Sequence, residues 1–570
     1  MLHEVADERR SMNGRHFEFW PSRIARTLTL PETSVPHNLK VSAERYPEKA
    51  AIVYSGTDIS YRRLTEEVEG LAGYLQRDLG VEKGDRVVVY VQNSPQFVIA
   101  YYAILQLGAV VVPVNPMLVT EELGHYFEDS GAAVALCGGE LYPQLSPLFG
   151  ESSFELAVVA TYSDYLKEET DLDIPDVVSA PRGELEDERA VPWHAALEAG
   201  RSPEEVFVGP DDMACLPYTS GTTGRPKGCV HTHRTLNANL IGAAVWNGMT
   251  VDSVGLSTLP LFHVTGMEHS MNAPIFAGAT TVLMTRWERE LAVELIERYQ
   301  ITHWTNISTM VVDLLSNPEI EDHDLSSLQL VGGGGAPLPE AVGEKLEALT
   351  GIRYVEGYGL SETIAQTHMN PPDRPKLQCL GIPSFDVDSR VVNPETLEEV
   401  GLGEEGEIVS SGPQVMKGYW KRPEADEETF FERDDRRFLR TGDIGTVDEE
   451  GYFFMVDRLK RMINVSGYNV WPAEVESALY EHPAIQEAVI ISIPDERSGE
   501  AAKAMVVLRE EEKGEVSEED IVEWARGKMA AYKYPRQVEF IDELPKSGSG
   551  KILWRVLQER EQEKIAKADR

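Results

Sequence analysis

Cysteine is scarce in this sequence. Cys137, Cys215, Cys229 and Cys379 stand far apart, with none of the paired spacings of a disulfide framework or a thiolate metal site. They read as free thiols of a reducing, cytoplasmic compartment. Positive charge is short as well: 53 lysines and arginines face 95 aspartates and glutamates, a formal net charge of −42. Such a surface repels nucleic acid and anionic membranes, so neither is expected as a partner. The acid excess is spread along the chain and not gathered in a tail, which favours a general surface property such as adaptation to a high-salt cytoplasm. An acidic protein of ordinary salt and a set of basic partners remain the other two readings. The first ten residues lack the apolar core of a signal peptide. Residues 97–114 are almost continuously apolar, but Gln106 and Gly108 interrupt them and Pro113 ends them. A buried helix to about Leu107, a cap at Gly108 and a strand over 109–113 are expected there, and no membrane span. Neither internal repeats nor low-complexity tracts occur.

What is present is enough apolar residue, 42% of 570, to fill three or four cores. From Asn38 strands and helices alternate: a helix over 38–46, a strand over 50–54, a helix over 60–79 capped by Ser60, a buried strand over 85–91, a helix over 120–130, a strand over 133–137. Residues 164–200 break the rhythm and read as an acidic surface excursion. After it come a helix over 234–246 and short strands at 279–284, 303–306, 328–331 and 353–355. Beyond Asn370, short strands with Gly and Pro turns predict a small barrel or sandwich. The fold class is α/β: a large N-terminal domain over 1–457, made of two layered α/β sheet subdomains plus a small β-barrel, then a small α+β domain. The last part reads helix 472–480, strand 485–493, strand 502–509, helix 518–529 and strand 537–541, with a charged helical tail over 554–570.

Five segments could carry chemistry. The first is Tyr218-Thr-Ser-Gly-Thr-Thr-Gly-Arg-Pro-Lys-Gly228, whose backbone N–H groups, hydroxyls and Lys227 suit phosphates. Gly221 and Gly224 do not meet the Walker spacing, and Gly332–Pro337 puts Pro where a dinucleotide fingerprint needs its last Gly. A plain surface loop is the alternative. The second is Gly332-Gly-Gly-Gly-Ala-Pro337, where missing side chains would let a flat ligand lie on the backbone, or where a tight turn sits. The third is Glu356-Gly-Tyr-Gly-Leu-Ser-Glu362, with Tyr358 for stacking, Ser361 for phosphate and Glu362 for a hard cation; alone, Glu362 would be a surface charge. The fourth holds Asp443, suited to a ribose diol or to a simple turn. The fifth puts Lys551 on a Gly/Ser loop, where by itself it would be a solvated charge.

In this order and at these distances, the five segments resemble the adenylate-forming superfamily of acyl-CoA synthetases, carrier-protein adenylation domains and luciferases. The resemblance spans roughly 38–551 and is strongest to medium- and long-chain fatty acyl-CoA ligases. It implies ATP and coenzyme A as substrates with Mg²⁺. Thr219, Ser220, Gly221, Thr222, Thr223, Gly224 and Lys227 would form a mobile phosphate clasp. Gly335, Ala336 and Pro337 would contact adenine, beside Glu356, Gly357 and Tyr358. Ser361 would meet phosphate, Thr219 and Glu362 the metal, Asp443 and Arg458 the ribose side, and Lys551 would be the catalytic lysine of adenylation. A hinge at 458–461, pivoting on Lys460, would lead to a C-terminal domain over 462–570, with Ser466 and Gly467 on the coenzyme A path.

The acyl pocket is expected at His263, Val264, Gly333 and Gly359. Gly359 stands where acetate-specific relatives carry Trp, which implies a deeper pocket. The absence of an Asp near 263–265 disfavours amino acids. His231 and His233 lack further ligands nearby and are assigned no metal. The implied reaction joins a small carboxylic acid to coenzyme A through an acyl-adenylate. An aryl or branched acid, or a carrier protein loaded in trans, are the rivals, and a homodimer is left open.

Overall fold

The computed structural model describes residues 14–219, 225–466, 468–495, 499–546 and 552–568. The chain forms two units: residues up to 389 with 410–439 and 450–452, and residues 390–409 and 440–449 with 453 onward.

The first unit is built on two large sheets. The larger has nine strands among the described residues, in the order Ile382–Pro383, Ala365–Met369, Val355–Leu360, Leu330–Gly333, His303–Asn306, Val254–Ser257, Thr280–Leu283, Ala50–Tyr54 and Thr57–Ser60. Its middle, from Val355–Leu360 to Ala50–Tyr54, is parallel. The second sheet has seven strands among the described residues, with Val110–Pro113, Arg86–Tyr90 and Val134–Gly138 at its centre. These strands are buried along their length, as a parallel sheet covered on both faces requires.

The long apolar stretch behaves as its interruptions predict. Pro95–Gln106 is a helix capped by Ser94, whose hydroxyl accepts from Phe97 N–H. Gly108 leaves it at φ 67, the left-handed exit for which glycine is suited, and Val110–Pro113 follows as a strand. The helix is apolar all round because it is buried all round. Among the described residues, no helix is long and apolar enough to cross a membrane. All four cysteines are buried free thiols.

Three expectations change. Ala50–Tyr54, which opens the first α/β run in sequence, pairs with Thr280–Leu283 and belongs to the other sheet. The acidic stretch at 164–200 is only partly an excursion. Ala190–Pro192 adds a parallel edge strand, and Trp193 is buried with its indole donating to Tyr165 Oη at 3.3 Å. Finally, the glycines at 332–333 and 357–359 lie inside strands and not in the turns beyond them. A Cβ on Gly332 would stand 2.4 Å from Val355 O, on Gly333 1.8 Å from Asn306 O, and on Gly359 1.7 Å from Ala365 O. These glycines let neighbouring backbones approach closely.

The stretch expected as a small barrel is a five-stranded sheet. Its long strand Arg436–Val447 pairs with Phe430–Arg433 over its first part and with Phe453–Arg458 over its second. Beyond Arg461 the second unit is built on the long antiparallel pair Ile485–Asp495 and Gly499–Leu508, with Gln537–Phe540 added in parallel. Helices Pro472–Leu479, Glu518–Lys528 and Trp554–Ala568 follow the sequence-derived boundaries within two residues or so. Buried Lys503 pairs with Glu561 at 2.6 Å and Glu539 at 2.7 Å, which ties the last helix to the sheet.

Candidate active site

The phosphate-loop candidate is closed at its stem. Thr219 and Lys227 are cross-strand partners in a two-strand ladder, with Tyr218 opposite Gly228. The two ends of the loop are thus pinned together, while Ser220, Gly221, Thr222, Thr223 and Gly224 lie outside the described residues. Tyr218 is anchored through its hydroxyl, which donates to Asp129 Oδ2 at 2.8 Å; the same carboxylate pairs with Arg422.

A tyrosine that no sequence pattern singled out joins the loop to the acidic candidate. Tyr419 Oη donates to Glu362 Oε1 at 2.8 Å, and the Lys227 ammonium sits 4.6 Å from the centre of its ring. Burial, then the nearby Glu362 charge, pushes the Tyr419 hydroxyl well above its usual range, so it stays a donor. The backbone is locked around it: Trp420 N–H donates to Gly228 O, Val230 N–H to Gly418 O, and Met416 N–H to Glu362 O. His231 braces the same place, with Nε2 at 2.8 Å from Ser361 O, and burial lowers its pKa to about 4. Its neighbour His233 accepts from Val35 N–H through Nδ1 at 3.2 Å. Both histidines are structural.

Thr219, Lys227, Ser361 and Glu362 therefore fall in one network of strands and side chains. Gly335, Ala336 and Pro337 lie exposed just past the carboxyl end of strand Leu330–Gly333, the end where parallel sheets receive ligands. Glu356 behaves differently from its expected nucleotide contact. Its Oε1 accepts from Leu338 N–H and its Oε2 from Cys379 N–H, both at 2.8 Å. Burial raises its pKa and these bonds oppose the rise. Glu356 is a brace that fixes the segment after Pro337.

Gly333, Gly357, Tyr358 and Gly359 line a cavity of about 640 Å³, counting the space open at its mouth. Its floor is the run of glycines from Gly332 to Gly335; Leu330, Val355 and Met369 supply apolar wall, and Thr265, His269, Gln366 and Asn247 supply polar wall. His263 and Val264 do not line it: His263 is exposed and Val264 turns into the core. The chain lines the cavity at Thr265 and again at His269, on a π-helix over Gly266–Asn272. Gly266 is required where that turn starts, because a Cβ there would stand 2.2 Å from Pro260 O. Opposite it, Ile364 at φ 48 and Ala365 at φ 126 hold a backbone conformation that branched residues avoid, and it carries the chain from the Glu362 turn into Gln366. Gly359 cannot be read as an emptied pocket position, since Ala365 O already occupies the space a side chain would need.

In the second unit Asp443 and Arg458 are cross-strand partners, and Asp443, buried, pairs with Arg458 Nε at 3.1 Å. Lys460 lies in the short turn Leu459–Arg461. Arg461 is tied down by Glu476 and by Asp457 at 3.6 Å. Ser466, at φ 55, follows strand Ile463–Val465, which pairs antiparallel with Tyr468–Val470. Gly467 and Lys551 lie outside the described residues; the stem of the Lys551 loop is closed by a bridge between Lys546 and Ile552.

A family model described as AMP-binding enzyme matches residues 39–420, and one described as AMP-binding enzyme C-terminal domain matches 474–551. The chain is 36% identical over 553 residues to a long-chain-fatty-acid–CoA ligase of Bacillus subtilis, covering 95% of this chain and 97% of that one. It is 35% identical to a feruloyl-CoA synthase of Amycolatopsis, covering 90% and 96%. Its fold superposes on ATP-bound MatB from Rhodopseudomonas palustris with a TM-score of 0.81 and 28% identity, covering 93% and 99%.

Proposed function

The chain belongs to the AMP-binding enzyme family, and we propose that it is an AMP-forming acyl-CoA ligase acting on a medium- or long-chain fatty acid. A carboxylate oxygen of the acid attacks the α-phosphorus of ATP; the bond to the bridging oxygen breaks and pyrophosphate leaves. The thiol of coenzyme A then loses its proton, attacks the acyl carbonyl carbon and displaces AMP. No protein nucleophile is needed, so the residues have to neutralise charge and hold geometry.

The observation that carries this reading is the Lys227–Tyr419–Glu362 link beside a glycine-floored cavity. Lys227 offers a cation to a polyphosphate, and the stem opposite it offers the Thr219 hydroxyl. Glu362, oriented by Tyr419, and Thr219 are hard oxygen donors of the kind Mg²⁺ takes, and would hold it. When bound, that ion supplies neutralising charge on the phosphates. Asp443 is placed in this reading on the ribose hydroxyls, and Lys551 between carboxylate and α-phosphate. The fatty acid is supported by the Bacillus subtilis relative; the Amycolatopsis relative supports an aryl acid as the second reading. The buried free thiols support a cytoplasmic setting.

The test is AMP and pyrophosphate release with a series of acids from acetate to stearate, with and without coenzyme A. Thioester formation with coenzyme A is expected, together with loss of pyrophosphate release but retained ATP binding in Lys551→Ala. Adenylation unchanged in that variant would sink the mechanism. Acyl-adenylate that never passes to coenzyme A would point to a carrier protein in its place.

A further inference from the structure

The wall of the cavity holds an acceptor that an alkyl chain cannot satisfy. The π-turn, in which Ala273 N–H reaches back to Glu268 O, turns Glu268 into the core and His269 onto the cavity. His269 Nε2 is hydrogen-bonded to Gln366 Oε1. The direction of that bond follows from the next partner: Gln366 Nε2 donates to Asn239 O at 3.1 Å, so the carbonyl end of the amide faces the ring and Nε2 carries the proton. Burial lowers the pKa of His269 to about 4, so the ring is neutral at pH 7 and Nδ1 is a lone pair. No described residue donates to it. A purely hydrocarbon tail would desolvate this acceptor and give nothing back.

We propose that the acid activated here carries a hydroxyl on its tail, and that His269 Nδ1 receives that hydroxyl's proton in a hydrogen bond. His269 is then the residue that selects the tail. This rests on the ligase reading above and narrows its substrate to hydroxylated acids. Gln366 is a positioning residue: it sets the tautomer, and the backbone at Ile364 and Ala365 sets Gln366. A site built to bond a hydroxyl discriminates far more strongly against its absence than an apolar pocket does against its presence.

Matched pairs test this. Decanoate is compared with each of its monohydroxylated isomers, and cinnamate with hydroxycinnamate, by kcat/KM for AMP release in the wild type, His269→Leu and His269→Gln. At least one hydroxylated acid is expected to exceed its plain partner by on the order of 10-fold or more, the effect of one buried hydrogen bond. The decanoate and cinnamate arms tell an alkyl from an aryl tail. His269→Leu is expected to bring that ratio to one or below by improving the plain acid, while His269→Gln, which keeps an acceptor, retains part of it. Thermal unfolding of both variants checks that they fold. Plain acids preferred in the wild type, or a hydroxyl preference that survives in His269→Leu, would overturn the proposal. No AMP release with any acid, plain or hydroxylated, would overturn the ligase reading itself and this proposal with it.

Discussion

Tyr419 gives its hydroxyl proton to Glu362 at 2.8 Å. The bond holds a partly exposed carboxylate in one orientation. A hydrogen bond to a charged group is worth about 1.5–3 kcal/mol. Tyr419→Phe keeps the ring under Lys227 and removes only that bond. Its pyrophosphate release is expected to fall roughly 10- to 100-fold, with a higher Mg²⁺ requirement. Tyr419→Leu, which also removes the cation–π contact, should lose more. Equal activity in wild type and Tyr419→Phe across a Mg²⁺ titration would show that Glu362 is not oriented this way.

Gly359 makes a second, sharper prediction. Were it a pocket position emptied by evolution, Gly359→Ala would only narrow the substrate range. Ala365 O stands 1.7 Å from where the new Cβ would go, so two paired strands must part. The variant is expected to lose roughly 2–4 kcal/mol of stability, within the range of severe overpacking. Denaturant unfolding decides: a wild-type midpoint with an altered acid preference would restore the simple pocket reading.

Much of the framework is legible in the amino-acid sequence. The hairpin at 485–508, the helix capped by Ser60 and the Gly108 exit all follow from local period and cap chemistry. Ala50–Tyr54 reads as part of the α/β run that follows it, yet it pairs in the other sheet, because a strand's partner is a long-range choice that its own residues do not encode. On sequence alone the glycines at 332–335 suit either a ligand floor or a tight turn; at Gly332, Gly333 and Gly359 it is close strand approach that selects glycine. The loop and Glu362 are legible only in company. Tyr419 and His269 are not legible at all, one for want of a motif, the other because an extra residue in a π-turn shifts the helical face by a step that 3.6-residue spacing does not anticipate.

Acid should unfold the first unit through its buried histidines. Burial lowers His231 and His233 to about 4, and His368 to about 3, from the ordinary 6.5. Below 6.5 the unfolded chain binds protons that the native rings refuse, so stability falls as pH drops from 6.5 to 4. His231→Asn should lessen that slope, since each such group contributes roughly 3 kcal/mol across the window. Unfolding measured every half unit between pH 4 and 7 gives the slope, and an unchanged slope in the variant would mean that His231 is protonated in the native state.

Glu268 works in the opposite direction. Its carboxyl is fully buried on the π-turn, where Oε1 accepts from Asn272 Nδ2 at 2.9 Å and Oε2 has no partner. Burial raises its pKa well above 4.5. A carboxyl kept neutral in the native state contributes fully below the unfolded pKa and loses that contribution as pH rises towards the folded one, because the unfolded chain gains by ionising. Glu268→Gln cannot ionise and keeps the shape. It is therefore expected to be more stable than the wild type at pH 7, with the difference closing towards pH 4. Asn272 and the two tyrosines bonded to it, Tyr101 and Tyr102, contribute no charge at either pH to confuse the comparison. A Glu268→Gln variant less stable at pH 7 than at pH 4, relative to the wild type at each pH, would mean that the native carboxyl is ionised and finds a cation among its neighbours.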